Sequence, residues 1–212
     1  MTASQIITGI INALIICAFL PLLGKVIDLI VKYVLGGIIT LFTRDYNIFV
    51  LFFNYLTFPG VVYHELSHAL VAIITGAKVD SVTLFEVEDD HLGEVIYYPR
   101  GNFIFQSIQI ALTSCAPVIT GIVGLYFGLT YLASHTLKIP LMILFIYLLL
   151  CVFMHMTMSN EDLVQYLKGI WVFFVAFFII SVKMGEKFVT GPDMIKMFLE
   201  LIKSIPAQFK RS

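Results

Sequence analysis

The sequence predicts an all-α polytopic membrane protein of about five to six transmembrane helices, with a small β-hairpin inserted among them. Three observations carry that expectation. The 212-residue chain is 59% hydrophobic and only 13% charged, with a mean hydropathy of +0.96, far from the composition of an ordinary soluble domain. Stretches 1–24, 46–64, 66–77, 101–137 and 139–160 contain no Asp, Glu, Lys or Arg, and a span needs about 20 apolar residues. Residues 77–101 change character, with two β-rich runs on either side of a turn, the pattern of a hairpin.

Each element follows from local chemistry. Residues 5–24 form the first expected span, with Pro21 and Gly24 marking its end. In 25–43, Asp28 and Lys32 make an i,i+4 pair in an otherwise apolar stretch, so an interfacial amphipathic helix and a short second span are both open. Arg44-Asp45-Tyr46-Asn47 is a polar break. The hydrophobic stretch 48–76 is too long for one untilted span, and Pro59-Gly60 divides it. A helix to about Phe58, a break, and a second helix capped by Gly76 are expected. Irregular backbone at membrane depth survives only where protein or a water-filled cavity satisfies it, so this break implies a pocket.

The hairpin covers 79–98, with its turn at Asp89-Asp90-His91-Leu92-Gly93. It holds six acids (Asp80, Glu86, Glu88, Asp89, Asp90, Glu94), with Lys78 and Arg100 as the cations beside it. It reads either as a solvated acidic face or as an exposed strand edge that holds an extended peptide by backbone hydrogen bonds. Residues 102–133 form a long apolar helix or a broken pair around Pro117, where Ser114, Cys115, Ala116, Gly121 and Gly124 allow close helix approach in lipid. Residues 139–157 form another span, a polar helix runs through Asp162 to Gly169, and 170–182 is a short span or half-span. The tail from Lys183 is amphipathic and carries six Lys/Arg. The whole reads as one membrane-embedded domain: 1–45 as N-terminal span and linker, 46–182 as core, 183–212 as tail.

The remaining composition narrows the functional classes. A net charge of −1 leaves no basic footprint for nucleic acid. Cys17, Cys115 and Cys151 all lie in apolar segments without a C-x-x-C pair, and read as small core or lipid-facing residues. The N-terminus lacks a basic region and a small-residue cleavage site, so its apolar run reads as a retained span.

Against this background, His64-Glu65-Leu-Ser-His68 is out of place. Residues i and i+4 share one helix face, so both imidazoles reach one ion, while Glu65 lies about 100° round the helix, near a water on that ion. Two zinc ligands and one general base are the mechanical content of H-E-x-x-H. The bland alternative is a set of polar residues facing a neighbour or a wet cavity. Ionisable groups cost roughly 2.5–3.5 kcal/mol each near the centre of a span, a cost seldom tolerated without a use.

Catalytic zinc wants a third protein ligand and an open position. Asp162 sits where a span turns into a polar helix, yet Ser159-x-x-Asp162 also resembles a capping box, and spacing alone leaves ligand and cap equally open. Glu88 lies 20 residues beyond His68, a distance at which thermolysin-type peptidases supply a glutamate, but in a strand-like stretch rather than a helix. His91 reads as a loop histidine and His155 as a buried helix histidine.

Taken together, His64-Glu-Leu-Ser-His68-Ala, a β-rich insert, the small-residue run Ala116-Pro117-Val-Ile-Thr-Gly121 and a later Ser-x-x-Asp162 resemble the site-2 protease family of intramembrane zinc metallopeptidases, in its compact bacterial form. The resemblance covers about residues 50–170. Better-known members set the aspartate in Asn-Pro-x-Asp-Gly or Leu-Asp-Gly, where this chain has Ser-Asn-Glu-Asp162-Leu. The resemblance implies a Zn²⁺ ion on His64, His68 and Asp162, Glu65 as catalytic acid/base, and a membrane-protein or peptide substrate taken from the bilayer of a bacterial cell. Two rivals stand beside it. A degenerate relative would hold zinc or a membrane partner without cleaving, and a metal transporter would need a polar pathway that only His155 suggests outside the motif region. Orientation is divided: the resemblance opens the site toward the cytoplasm, whereas the Lys-rich tail, on the opposite face, would be cytoplasmic by the positive-inside rule.

Overall fold

The computed structural model describes residues 3–44, 49, 53, 55–84, 93–184 and 196. Among these the chain is mostly helical, with one two-stranded antiparallel sheet. The helices are α1 (Ala3–Ile30), continued through a π-helical turn (Val31–Leu35) into α2 (Gly36–Thr43), then α3 (Phe58–Ile74), α4 (Phe103–Ser114), α5 (Ala116–Ser134), α6 (Ile139–His155), α7 (Asn160–Gly169) and α8 (Trp171–Met184). The strands are β1 (Lys78–Thr83) and β2 (Glu94–Tyr98).

Pro21 and Gly24 do not end the first helix. Both are buried inside α1. A Cβ on Gly24 would stand 2.9 Å from Val118 and 3.2 Å from the Met158 backbone nitrogen, so this glycine is a packing point rather than a stop. The backbone runs through 25–42 without a break, 3–42 being one helical run with the Asp28–Lys32 pair (3.0 Å) on its side. It stops at Arg44, which takes a left-handed φ of 59°.

Two described helices are long and apolar enough to cross a membrane, Ala3–Phe42 and Ala116–Ser134, and α6 with α7 makes a third if that pair, bent by 63°, is one span. The expected count of five to six rests on shorter apolar helices, Phe58–Ile74, Phe103–Ser114 and Trp171–Lys183. They are short for identifiable reasons. Pro59 opens α3 and Pro117 opens α5, each at the first turn, where a missing N–H costs least. At the far end of α3, Gly76 (φ +86°) takes the left-handed position, its N–H donating to Ile73 O (3.0 Å) while Ala77 N–H reaches Ala72 O (2.9 Å). That pair of bonds is a Schellman cap, as the sequence led us to expect.

The apolar stretch 102–133 is the broken pair rather than one helix, with its break at Cys115. Small residues permit close helix approach in two places. Tyr63 on α3 donates to Thr120 O (2.8 Å) beside Gly124, and Gly121 faces Met156. Gly60 is another close approach, since a Cβ there would collide with the Cys151 carbonyl and the His155 ring. Cys115 and Cys151 are buried free thiols and Cys17 is half-buried. The hairpin pairs Lys78 with Tyr98 and Thr83 with Glu94, with an irregularity between Val79 and Ser81. Its expected turn, with Glu86, Glu88, Asp89, Asp90 and His91, lies outside the described residues.

Gly60→Val puts two methyl groups where α6 backbone already stands. We expect a loss of about 1–3 kcal/mol, read as a lowered melting temperature in detergent, with Gly37→Val, which faces open space, as the control.

Candidate metal centre

His64 and His68 stand one turn apart on α3, and the first turn of α7 brings Asp162 to them. Their Nε2 atoms lie 3.1 Å from each other. Asp162 Oδ1 is 3.4 Å from His68 Nε2, and Oδ2 is 3.9 Å from His64 Nε2. One ligand atom from each residue falls within 4.8 Å of the other two. A tetrahedral ion with bonds of about 2.0–2.1 Å sets neighbouring donors about 3.3 Å apart, so the group is of a size to hold one.

The hydrogen bonds behind the imidazoles make the argument chemical as well as metric. His64 Nδ1 contacts the His155 carbonyl at 2.8 Å, and His68 Nδ1 contacts the Thr113 carbonyl at 2.7 Å. A carbonyl only accepts, so each Nδ1 carries the proton and each Nε2 presents a lone pair. Two lone pairs and a carboxylate pointed at one another repel unless a cation lies between them. Nitrogen donors beside a carboxylate suit zinc, where calcium or magnesium would call for oxygens. Backbone acceptors behind ligating histidines are the usual means of fixing ring and tautomer.

Those two carbonyls are free for a reason written in the sequence. A helical carbonyl at i bonds the N–H at i+4. Position 117, four beyond Thr113, is a proline without an N–H. His155 is the last residue of α6, so no helical N–H follows to take its carbonyl. Sequence reasoning missed Thr113 and the His155 carbonyl, though counting four back from Pro117 would have found the first. The His155 ring is partly buried at the end of α6 rather than fully so. The Thr57 hydroxyl donates to Phe53 O (2.7 Å), which leaves it to accept from His155 Nε2 (2.7 Å).

Asp162 makes the cap, and the same side chain stands within reach of both histidines. Ser159 Oγ accepts the Asp162 N–H (2.9 Å) while the Asp162 carboxylate accepts the Ser159 N–H, a complete capping box at the start of α7. The cap occupies one lone pair of Oδ2 and holds the side chain against the histidines. The unusual Ser-Asn-Glu-Asp setting is thus a helix start.

Glu65 lines a cavity of 850 Å³ with His64, His68 and Asp162. Gly93, at the entry to β2, lies directly on it: a Cβ there would be 2.6 Å from Glu65 Cγ. Residues Gly93 to Tyr97 form one wall and Glu161, Gln165 and Lys168 of α7 the other. Burial pushes the Tyr97 phenol above its ordinary range, so this wall offers a neutral hydroxyl. A second cavity of 360 Å³ lies where Lys25, Asp28 and Lys32 meet the 157–161 turn, and it too reaches His64 and Glu65. Glu88, the rival third ligand, and His91 lie outside the described residues.

The sequence model of the peptidase M50B-like family matches residues 30–205. The chain belongs to the peptidase M50B-like family. The resemblance to site-2 proteases therefore holds at the level of the family, and with its long apolar helices this M50B-like chain is a membrane protein of a protease family. No curated protein and no solved structure matches it.

Metal analysis of separate variants checks the ligand set of this M50B-like chain. His64→Ala and Asp162→Ala are expected to lose zinc, and Glu88→Gln to retain it; zinc lost only with Glu88 would reassign the third ligand. Ser159→Ala removes the cap and is expected to cost about 1 kcal/mol of stability and to weaken zinc about tenfold, measured by chelator competition.

Proposed function

We propose that the chain is an intramembrane zinc metalloendopeptidase that cleaves transmembrane or membrane-proximal segments of protein substrates. The observation that carries this reading is the convergence of His64, His68 and Asp162 beside Glu65 in one cavity walled by a strand edge. In this reading His64, His68 and Asp162 hold zinc, and α3, α4 and α8 join the longer helices as short or partial spans of a multi-pass protein.

A zinc ion at that position supplies a Lewis acid and a water acidified toward pKa ~7. The chain supplies the rest. Glu65 takes the proton of the attacking water and gives it to the leaving amine, the shuttle that amide hydrolysis needs. The Nδ1–H bonds to His155 and Thr113 hold both imidazoles in the ligating tautomer through that proton movement. A substrate helix conceals its scissile carbonyl in its own hydrogen bonds, so it must become extended before attack. Among the described residues β2 pairs only with β1, and its cavity-side edge is placed to receive such a strand by main-chain hydrogen bonds.

Family membership supports a protease, and Glu65 favours an active one over a relative that only holds metal, since a structural site needs no base. Glu65→Gln is expected to keep its zinc and to lose about 10²–10⁴ in the rate of cleaving a model membrane substrate. Undiminished proteolysis by this variant would sink the mechanism.

A further inference from the structure

Pro21 sits in the middle of α1, a buried helix position that a proline ordinarily disrupts. It has no N–H for the carbonyl four residues back, which belongs to Cys17. In apolar surroundings that carbonyl needs another donor, and it has one: Tyr166 of α7 donates its hydroxyl to Cys17 O at 2.7 Å. Two turns further along α1, Lys25 Nζ donates to Asn160 Oδ1 at 2.9 Å. Asn160 and Tyr166 flank Asp162 on the same short helix. Between these bonds, Gly24 lets α1 approach the Met158 backbone that leads into α7.

The opposite end of α7 is held differently. Gly169 lies against the Ser107 carbonyl on α4, and a Cβ there would stand 2.8 Å from the Ala111 nitrogen. That contact is seven residues from Asp162, about 10 Å along the helix. α4 also packs along α7, and the two bonds from α1 add a grip on either side of Asp162. Residues 17–25 lie before the region matched by the family, so this support comes from a part of the chain outside the family core.

We infer that Pro21, Tyr166 and Lys25 form a clasp through which α1 positions Asp162 against the two histidines. Tyr166 and Lys25 are positioning residues: each acts through α7 and touches none of the metal-ligand atoms. Pro21 makes the Cys17 carbonyl available, and Tyr166 uses it.

The inference rests on the metal-centre reading, and the test separates the two. Zinc affinity is measured by chelator competition on the full-length chain in detergent, together with the melting temperature of the metal-free protein. Tyr166→Phe keeps the ring and loses only the donor; we expect about tenfold weaker zinc together with a lowered metal-free melting temperature from the stranded Cys17 carbonyl, both recovered in the Pro21→Ala background. Pro21→Ala returns an N–H to Cys17 O, and in that background Tyr166→Phe should cost less than about threefold. Lys25→Met loosens the other grip, with a loss of at least about threefold that Lys25→Arg restores; it reports on the clasp even if Tyr166→Phe fails to fold. Wild-type affinity in both Tyr166→Phe and Lys25→Met overturns the clasp and leaves the metal centre standing. So does a Tyr166→Phe loss of the same size in the wild-type and Pro21→Ala backgrounds. A wild type that takes up no zinc overturns both.

Discussion

Two imidazole nitrogens point their lone pairs at each other across 3.1 Å. In the neutral rings neither holds a proton to offer, because the single N–H of each ring is given to a main-chain carbonyl. The carboxylate of Asp162 adds negative charge at the same point. In an apolar protein this arrangement is repulsive on its own and attractive around a cation. The folding of α3, α4, α6 and α7 against one another has to be stable enough to hold it in place. The close approaches at Gly60, Gly121 and Gly169 serve that need, since in lipid there is little hydrophobic drive between helices and contact distance decides association.

The cavity is a boundary between two kinds of surface. On one side are α7's polar residues and the ionic group at Lys25, Asp28 and Lys32; on the other are helices whose outward faces are exposed Ile, Leu and Phe. An ionised Glu65 requires the polar side, and a substrate drawn from lipid requires the apolar one. The short helices and their breaks set the two side by side. A chain of straight, complete spans would bury the histidines in a dry interface or hold them in bulk water.

Much of this was legible in the residues. The H-E-x-x-H spacing, the Pro59 and Pro117 breaks, the Gly76 cap and the hairpin strands follow from local rules that need no tertiary information. Pro21 and Gly24 were misread because the same residues that end helices in water also serve, inside a packed membrane helix, as a donor vacancy and a contact point. The span count of five to six depends on α3, α4 and α8, which hydropathy registers as apolar but which are shorter than the two long helices. Asp162 was ambiguous for a sound reason: cap and ligand candidate make the same demand on spacing, and the side chain meets both. The orienting carbonyls of Thr113 and His155 were invisible because main-chain groups carry no sequence signature of their own.

They do carry an indirect one. In a helix every carbonyl is committed to the N–H four residues on, so a donor removed at i+4 leaves an acceptor that an apolar environment does not tolerate. Pro117 releases Thr113, and the end of α6 at His155 leaves that carbonyl without a helical donor. Pro21 releases Cys17. The first two acceptors are taken by the two motif histidines and the third by a tyrosine on the helix that bears Asp162. A histidine whose Nδ1–H satisfies such a carbonyl must turn its Nε2 the other way, so each break in hydrogen bonding fixes the direction of a lone pair. The positions of the prolines and of the end of α6 therefore determine where the donors meet, and the cation site is a consequence of satisfying the backbone in a phase that offers it no water.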